Sequence, residues 1–265
     1  MRVFLLCACA ALAASACSKQ QDTPTPPEST GANPVETPTA TDGEDPDADG
    51  EEAPEETPVE PPDQRTLQTT ACDDEGKTEI CTSLAVMWSK GTEGPEDKAK
   101  AREYFGKGCD GGHAVACFNL AVFLDQGIGG DADPAKATEL YTGICGAEGP
   151  DQIEACFNVA VMLDSGTSGK PDKAKARTLY QKACDGEHQV SCTSVGRMSM
   201  LGEGGKKDVK AARALFTKTC DAGEFGGCYM LSLTVRKGLG GKKSRKKADE
   251  LAKKACDGGY QLACS

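Results

Sequence analysis

Twelve cysteines set the frame of this chain. From residue 71 onward they stand at 72, 81, 109, 117, 145, 156, 184, 192, 220, 228, 256 and 264. They form six pairs whose first members are 37, 36, 39, 36 and 36 residues apart. A fixed period of this size marks a stacked repeat array, in which each unit is one supersecondary element that cannot bury its apolar face alone. Inside four pairs the second cysteine follows by eight residues; Cys72/Cys81 has nine, and Cys145/Cys156 has eleven because Gly146–Ile153 makes a longer turn.

The segments between the pairs align on the same period. Ten residues after each second cysteine stands glycine (Gly91, Gly127, Gly166, Gly202, Gly238), and four after it a small residue (Ala85, Ala121, Ala160, Gly196, Ser232). Eight residues before the next pair stands alanine (Ala101, Ala137, Ala176, Ala212, Ala248), followed by a bulky pair such as Tyr104-Phe105 or Leu179-Tyr180. Apolar residues at 120, 123 and 124, and at 159, 162 and 163, keep the period of an amphipathic helix. The fixed glycine suits a helix stop in the left-handed region. Pro95, Pro134 and Pro171 suit the first turn of a second helix. Each unit then reads as a first helix, a loop and a second helix. Five units cover about 77–257, and a half-helix after Gly258 caps the stack.

The recurring string, alanine and an aromatic before Cys-Asp-Gly, then Ala/Ser-Cys and a small residue, resembles the Sel-1-like repeats of cysteine-rich bacterial proteins, relatives of tetratricopeptide repeats. The resemblance covers roughly 70–265 and implies an all-α fold: an α/α solenoid, a right-handed superhelix of about five helical hairpins. The Gly146 turn lacks the Asp, and Phe225-Gly226-Gly227 replaces the usual Ala before Cys228, which leaves those two turn geometries open.

The first residues carry an export pattern. Arg2 precedes an apolar run, Val3–Ala14, and Ala14-Ser15-Ala16 precedes Cys17. This is the layout of a secretory signal over 1–16. Cys17 in that place is similar to the lipidated cysteine of bacterial lipoproteins, although Ala14 stands where Leu is usual. Residues 17–70 read as a disordered tether: from Ser18 to Thr70 there are 14 Asp/Glu against Lys19 and Arg65, and no aromatic residue. The net charge of −11 therefore belongs to this segment, and the repeat domain, 71–265, is neutral. Membrane attachment through Cys17 and placement as an outer-membrane lipoprotein follow as expectations, with secretion or a periplasmic location as the alternative. Ser18, rather than Asp, after the anchor favours the outer membrane by analogy.

Fifteen cysteines do not suit a reducing cytosol. Zinc sites need four close ligands, and this chain has no CxxC motif and two histidines, His113 and His188, which read as surface residues. A thioredoxin-like centre also needs CxxC. The cysteines thus read as disulfide staples: Cys72–Cys81, Cys109–Cys117, Cys145–Cys156, Cys184–Cys192, Cys220–Cys228 and Cys256–Cys264. No metal and no cofactor is implied.

Relatives of this type often carry a β-lactamase or penicillin-binding label, so a hydrolase is the alternative function. Serine β-lactamases need S-x-x-K with S-D-N and K-T-G. The mature chain has S-x-x-K only at Ser244–Lys247 and lacks the companions, so no catalytic residue is assigned. Gly166–Lys170 reads GTSGK but departs from a phosphate loop, since Pro171 follows the lysine.

The remaining class is a protein- or peptide-binding scaffold. Resemblance to tetratricopeptide arrays implies that the first helices line a concave groove. Positions one, five and eight after the second cysteine share a helical face. They include Phe118, Val122, Asp125, Phe157, Val161, Asp164, Arg197, Met200, Tyr229 and Arg236, whose types vary while the framework does not. Phe118, Phe157 and Tyr229 would equally serve to pack neighbouring repeats. The last repeat is basic, with Lys242, Lys243, Arg245, Lys246 and Lys247 among its cations. An acidic partner, anionic lipid or the chain's own tether suits it; nucleic acid does not suit an exported chain. A monomer is expected.

Overall fold

The computed structural model describes residues 63–149 and 151–264; the signal segment, Cys17 and the tether up to residue 62 lie outside the described residues. Among those described, eleven α-helices and one 3-10 turn account for the regular structure, with no strand. Helix α1 (Gln64–Asp73) comes first. Five hairpins follow: α2 (Thr78–Lys90) with α3 (Lys98–Asp110), α4 (Ala114–Gln126) with α5 (Pro134–Gly146), and α6 (Gln152–Ser165) with α7 (Lys173–Asp185). The last two are α8 (Gln189–Leu201) with α9 (Val209–Asp221), and α10 (Phe225–Lys237) with α11 (Arg245–Asp257). Where a half-helix cap was expected, a single 3-10 turn, Gln261–Ala263, closes the array. Each helix packs on the next, which makes an α/α solenoid.

The helix ends follow from residue chemistry. The five fixed glycines all hold φ between 65° and 82° and return their N–H to the carbonyls of the last turn. Second helices start differently from the proline-based expectation. Only Pro134 occupies the first turn. The start signal is an N-cap side chain, from Asp97, Asp133, Asp172, Asp208 or Ser244, which accepts a backbone N–H three residues on. An N-cap acceptor satisfies a donor that proline merely omits, so it can serve every repeat.

The core is built from small contacts. The fixed alanines Ala101, Ala137, Ala176, Ala212 and Ala248 are fully buried, as is Ala121. A Cβ on Gly196 would meet the Phe216 ring at 2.6 Å, so this position has to be bare. Five disulfides join the end of one helix to the start of the next, and the sixth, Cys256–Cys264, ties α11 to the residue after the 3-10 turn, with Cα–Cα distances of 4.4–4.9 Å. Those separations are what a disulfide spans.

Neighbouring repeats are also clamped by arginine. Arg102, Arg177 and Arg213 each follow a fixed alanine and donate to loop carbonyls of the following repeat: Asp131 (2.8 Å), Glu203 and Lys206 (3.4 and 3.2 Å), and Leu239 and Lys242 (3.2 and 3.1 Å). The gripped loops carry Gly129, Gly204 and Gly240 at positive φ, where a Cβ would strike the backbone carbonyl of Lys98, Lys173 or Val209. In the second repeat Thr138 replaces the arginine, and the following loop has Ser168 in place of the glycine.

The same clamp recurs ahead of the first cysteine pair. Arg65 lies one residue past the alanine position, donates to the carbonyls of Pro95, Met87 and Thr92, and stacks 4.1 Å from the Trp88 ring. Helix α1, Gln64–Asp73, therefore takes the place of the second helix of a leading half-repeat, so that helix is present among residues 64–70 as well. In the fifth repeat Asp249 takes the arginine position, and Ala252 that of Phe105, Tyr141, Tyr180 and Phe216.

Candidate functional site

The ten candidate residues all lie on the first helices, but the structure sorts them into three groups. Those directly after the second cysteine sit at the seams between repeats. Phe157 lies 4.6 Å from the His188 ring and 6.1 Å from Tyr180, and Tyr229 lies 5.3 Å from Tyr260. Thr193 occupies the same place and donates from Oγ1 to Glu224 Oε2 at 2.6 Å; Thr82 shares a 2.7 Å hydrogen bond with His113 Nδ1. Variation at this position is thus matched by variation at the start of the next repeat. The two histidines are accordingly half-buried seam residues, not surface ones. Burial holds His188 below its ordinary pKa, partly opposed by Glu154.

A second group is closed upon itself. Arg197 donates to Asp164 Oδ2 at 2.6 Å and to Glu203 Oε2 at 2.7 Å, while Lys173 meets Asp164 Oδ1 at 2.5 Å. Two cations balance two carboxylates, so Arg197 has no charge to spare. Arg236 pairs with Asp249 at 2.9 Å, and Met200 packs against the cluster containing Phe216 and Leu231.

The third group is open. Val122 and Val161 are half-buried on consecutive repeats. Asp125 stands where Asp164 stands one repeat later, but Val161 replaces Arg197 opposite it and Pro134 replaces Lys173. Its carboxyl is held above the usual range by burial. Phe118 borders this patch, edge-on to Tyr141 with ring centroids 5.6 Å apart. The turn that follows, 146–153, is longer than at the other seams, and α6 starts at Gln152 with Asp151 as its N-cap.

Two residues beyond the second cysteine, Asn119 and Asn158 complete the open patch; sequence reasoning passed over them. Asn119 donates to the Val115 carbonyl at 2.7 Å. Desolvation, with Asp125 nearby, pushes Tyr141 up, and Asn158 acts on its buried hydroxyl in the opposite sense. The missed signal was helical phase: offsets two, five and nine share a stripe. The ninth-position residues Lys90, Gln126, Ser165, Leu201 and Lys237 are all exposed.

The hydrolase-like strings have structural places. Ser244 Oγ accepts the Lys247 N–H at 3.2 Å as the N-cap of α11. Gly166 is the left-handed stop of α6, and Ser165 and Thr167 share a 2.6 Å hydroxyl contact beside it.

The Sel1 repeat model matches residues 81–113, 114–142, 153–188, 190–224 and 226–260, more than half of the chain. The chain belongs to the Sel1 repeat family. Its Sel1 units coincide with the five hairpins. Among solved structures it is similar to a Sel1 repeat protein from Oxalobacter formigenes, with TM-score 0.66 and 18% identity over 75% of this chain and 79% of that one. It is also similar to c5321, a protective antigen of uropathogenic Escherichia coli with an SLR fold: TM-score 0.66, 22% identity, 76% of this chain and 42% of the antigen. Helicobacter pylori cysteine-rich protein B aligns at 24% identity over 50% of this chain and 96% of its own, with TM-score 0.41. None of the curated proteins matches the chain in sequence. Six disulfides accord with an oxidising compartment.

Proposed function

We propose that this Sel1 repeat protein is an exported scaffold, lipid-anchored at Cys17, that holds a protein or peptide segment against the first helices of its second and third repeats. The observation that carries this reading is the open patch of Phe118, Asn119, Val122, Asp125, Asn158 and Val161. It offers apolar side chains, amides that suit a backbone and one carboxylate without an ion-pair partner, on a rigid double layer. The equivalent positions in the fourth repeat are closed by the Arg197 network. The chemistry fits a segment that presents apolar residues and one basic side chain; recognition by a helix or an extended strand follows the same anchors. Among the described residues no helix is long and apolar enough to cross a membrane, and attachment in this reading rests on the lipid at Cys17.

The test is co-purification from the native envelope with the wild-type chain and with Val122→Glu/Val161→Glu. A partner retained by wild type and lost in the variant, with an unchanged circular dichroism spectrum, supports the patch; equal recovery contradicts it. Labelling with radioactive palmitate, absent in Cys17→Ser, tests the anchor.

A further inference from the structure

The loops joining first to second helices show a feature the fold does not require. At the two positions before the N-cap, the first three repeats carry Pro95-Glu96, Asp131-Ala132 and Lys170-Pro171, whereas the last two carry Lys206-Lys207 and Lys242-Lys243. The loop of the second repeat holds Gly129 in the same left-handed conformation as Gly204 and Gly240 without any lysine, so the lysine side chains are not needed to make the turn. Lys206 and Lys242 contribute only backbone carbonyls to the clamps of Arg177 and Arg213.

Those clamps set the two lysine loops side by side. Arg213 leaves α9, which begins two residues after Lys207, and holds the carbonyls of Leu239 and Lys242. Gly240 lies against the first turn of the same helix, where a Cβ would be 2.6 Å from the Val209 carbonyl. Arg245 and Lys246 then extend the cationic edge along the first turn of α11. All six cations are exposed, and none forms an ion pair among the described residues. Three nearby acids are engaged elsewhere, Glu203 with Arg197, Asp208 with the Ala211 N–H, and Asp249 with Arg236; Glu250 stands one turn beyond Lys246 on α11.

The edge also carries apolar side chains. Leu239 lies within the loop itself and is 37% exposed, and Leu201, 54% exposed, ends the helix that leads into the neighbouring loop. No aromatic residue occurs in 201–210 or 237–247, so stacking on nucleic-acid bases has no platform here. Cations on adjacent loop tips, with leucines projecting among them, form an edge rather than a groove. That combination suits a plane of phosphates over an apolar layer better than a single acidic chain.

We propose that the loop edge of repeats four and five docks on anionic phospholipid headgroups, with Lys206, Lys207, Lys242, Lys243, Arg245 and Lys246 facing the phosphates and Leu239 entering the interface. The edge is distinct from the open patch of repeats two and three, and neither assignment depends on the other.

The test is lysine footprinting by reductive methylation of the full chain, read residue by residue by mass spectrometry. The probes are vesicles of pure phosphatidylcholine and of phosphatidylcholine with 30% phosphatidylglycerol. The account predicts protection of Lys206, Lys207, Lys242, Lys243 and Lys246 on the anionic vesicles alone, while Lys100, Lys136 and Lys175 stay reactive. The gain in partitioning due to phosphatidylglycerol falls at least about tenfold in K206E/K207E/K242E/K243E, since each basic residue contributes measurably near an anionic surface. It survives in the four Lys→Arg replacements, which separates charge from misfolding. Uniform protection of all lysines, protection by neutral vesicles alike, or protection by polyglutamate or duplex DNA with none by anionic vesicles overturns the proposal.

Discussion

Arg197 Nη2 donates to Asp164 Oδ2 at 2.6 Å across the seam between the third and fourth repeats, and the Asp164 carboxylate is only 15% exposed. Two residues that look like ligand contacts in sequence are thus each other's partners. Removing the guanidinium leaves a carboxylate largely withdrawn from water with Lys173 alone to balance it. Arg197→Ala should therefore cost about 1–3 kcal/mol, read as a lowered urea midpoint.

Phe157 and Asp125 should part company under mutation. Phe157→Ala removes ring contacts to Tyr180 and His188 and should destabilise by about 2 kcal/mol, less than a fully buried phenylalanine would. Asp125→Asn should not destabilise at neutral pH. Burial raises the folded-state pKa of Asp125, so ionisation opposes folding and the cost is fully present above that pKa. The variant should be the more stable at pH 7, and the difference should vanish as pH falls through the folded value to below the usual carboxylate range.

His188 runs in the opposite sense. Its folded pKa lies below the ordinary 6.5, so the neutral ring favours folding, and that contribution is fully present above 6.5. It is lost as pH falls from there through the folded value, because the unfolded chain takes up the proton first. Protection factors at the start of α8, corrected for the intrinsic pH dependence of amide exchange, should fall as pH drops from 7.5 to 5, and His188→Gln should flatten that response.

The arginine clamp and its glycine should behave as one device. Gly204→Ala forces a side chain into positive φ and into the Lys173 carbonyl, and should cost about 2 kcal/mol or more. Arg177→Ala should weaken the same loop, and the double variant should lose less than the sum, as expected for groups sharing one contact. Additive losses in denaturant titrations would separate the two.

Each disulfide should contribute independently of the open patch. Alkylation of the unreduced chain should tag none of the twelve cysteines from 72 to 264. Cys109→Ser/Cys117→Ser should lower stability by roughly 2–3 kcal/mol, the loop-entropy value for a short ring.

Much of this architecture was legible because it is local. The cysteine period, the glycine stops and the buried alanines repeat within one unit, so a single chain displays them five times over. Packing between repeats was one of the two readings of Phe118, Phe157 and Tyr229, but the partners were not named, although Thr82/His113 and Thr193/Glu224 both lie 31 residues apart, as do Phe157/His188 and Tyr229/Tyr260. Their types change from seam to seam, a pattern that a recognition surface would share. Only the side-chain partner distinguishes a residue that varies to suit a ligand from one that varies to suit its neighbour. The leading half-repeat was missed because Gln64 takes the alanine position, and a polar residue there blends into the tether.

The central claim is that the open patch, not the seams, holds the partner. Photo-crosslinking amino acids placed singly at Val122, Val161, Lys175 and Lys206 in the native host test it directly. The account predicts one shared adduct from Val122 and Val161, lost on Asp125→Lys, and absent from Lys175 and Lys206. The same adduct from all four positions, or from Lys175 alone, would contradict it.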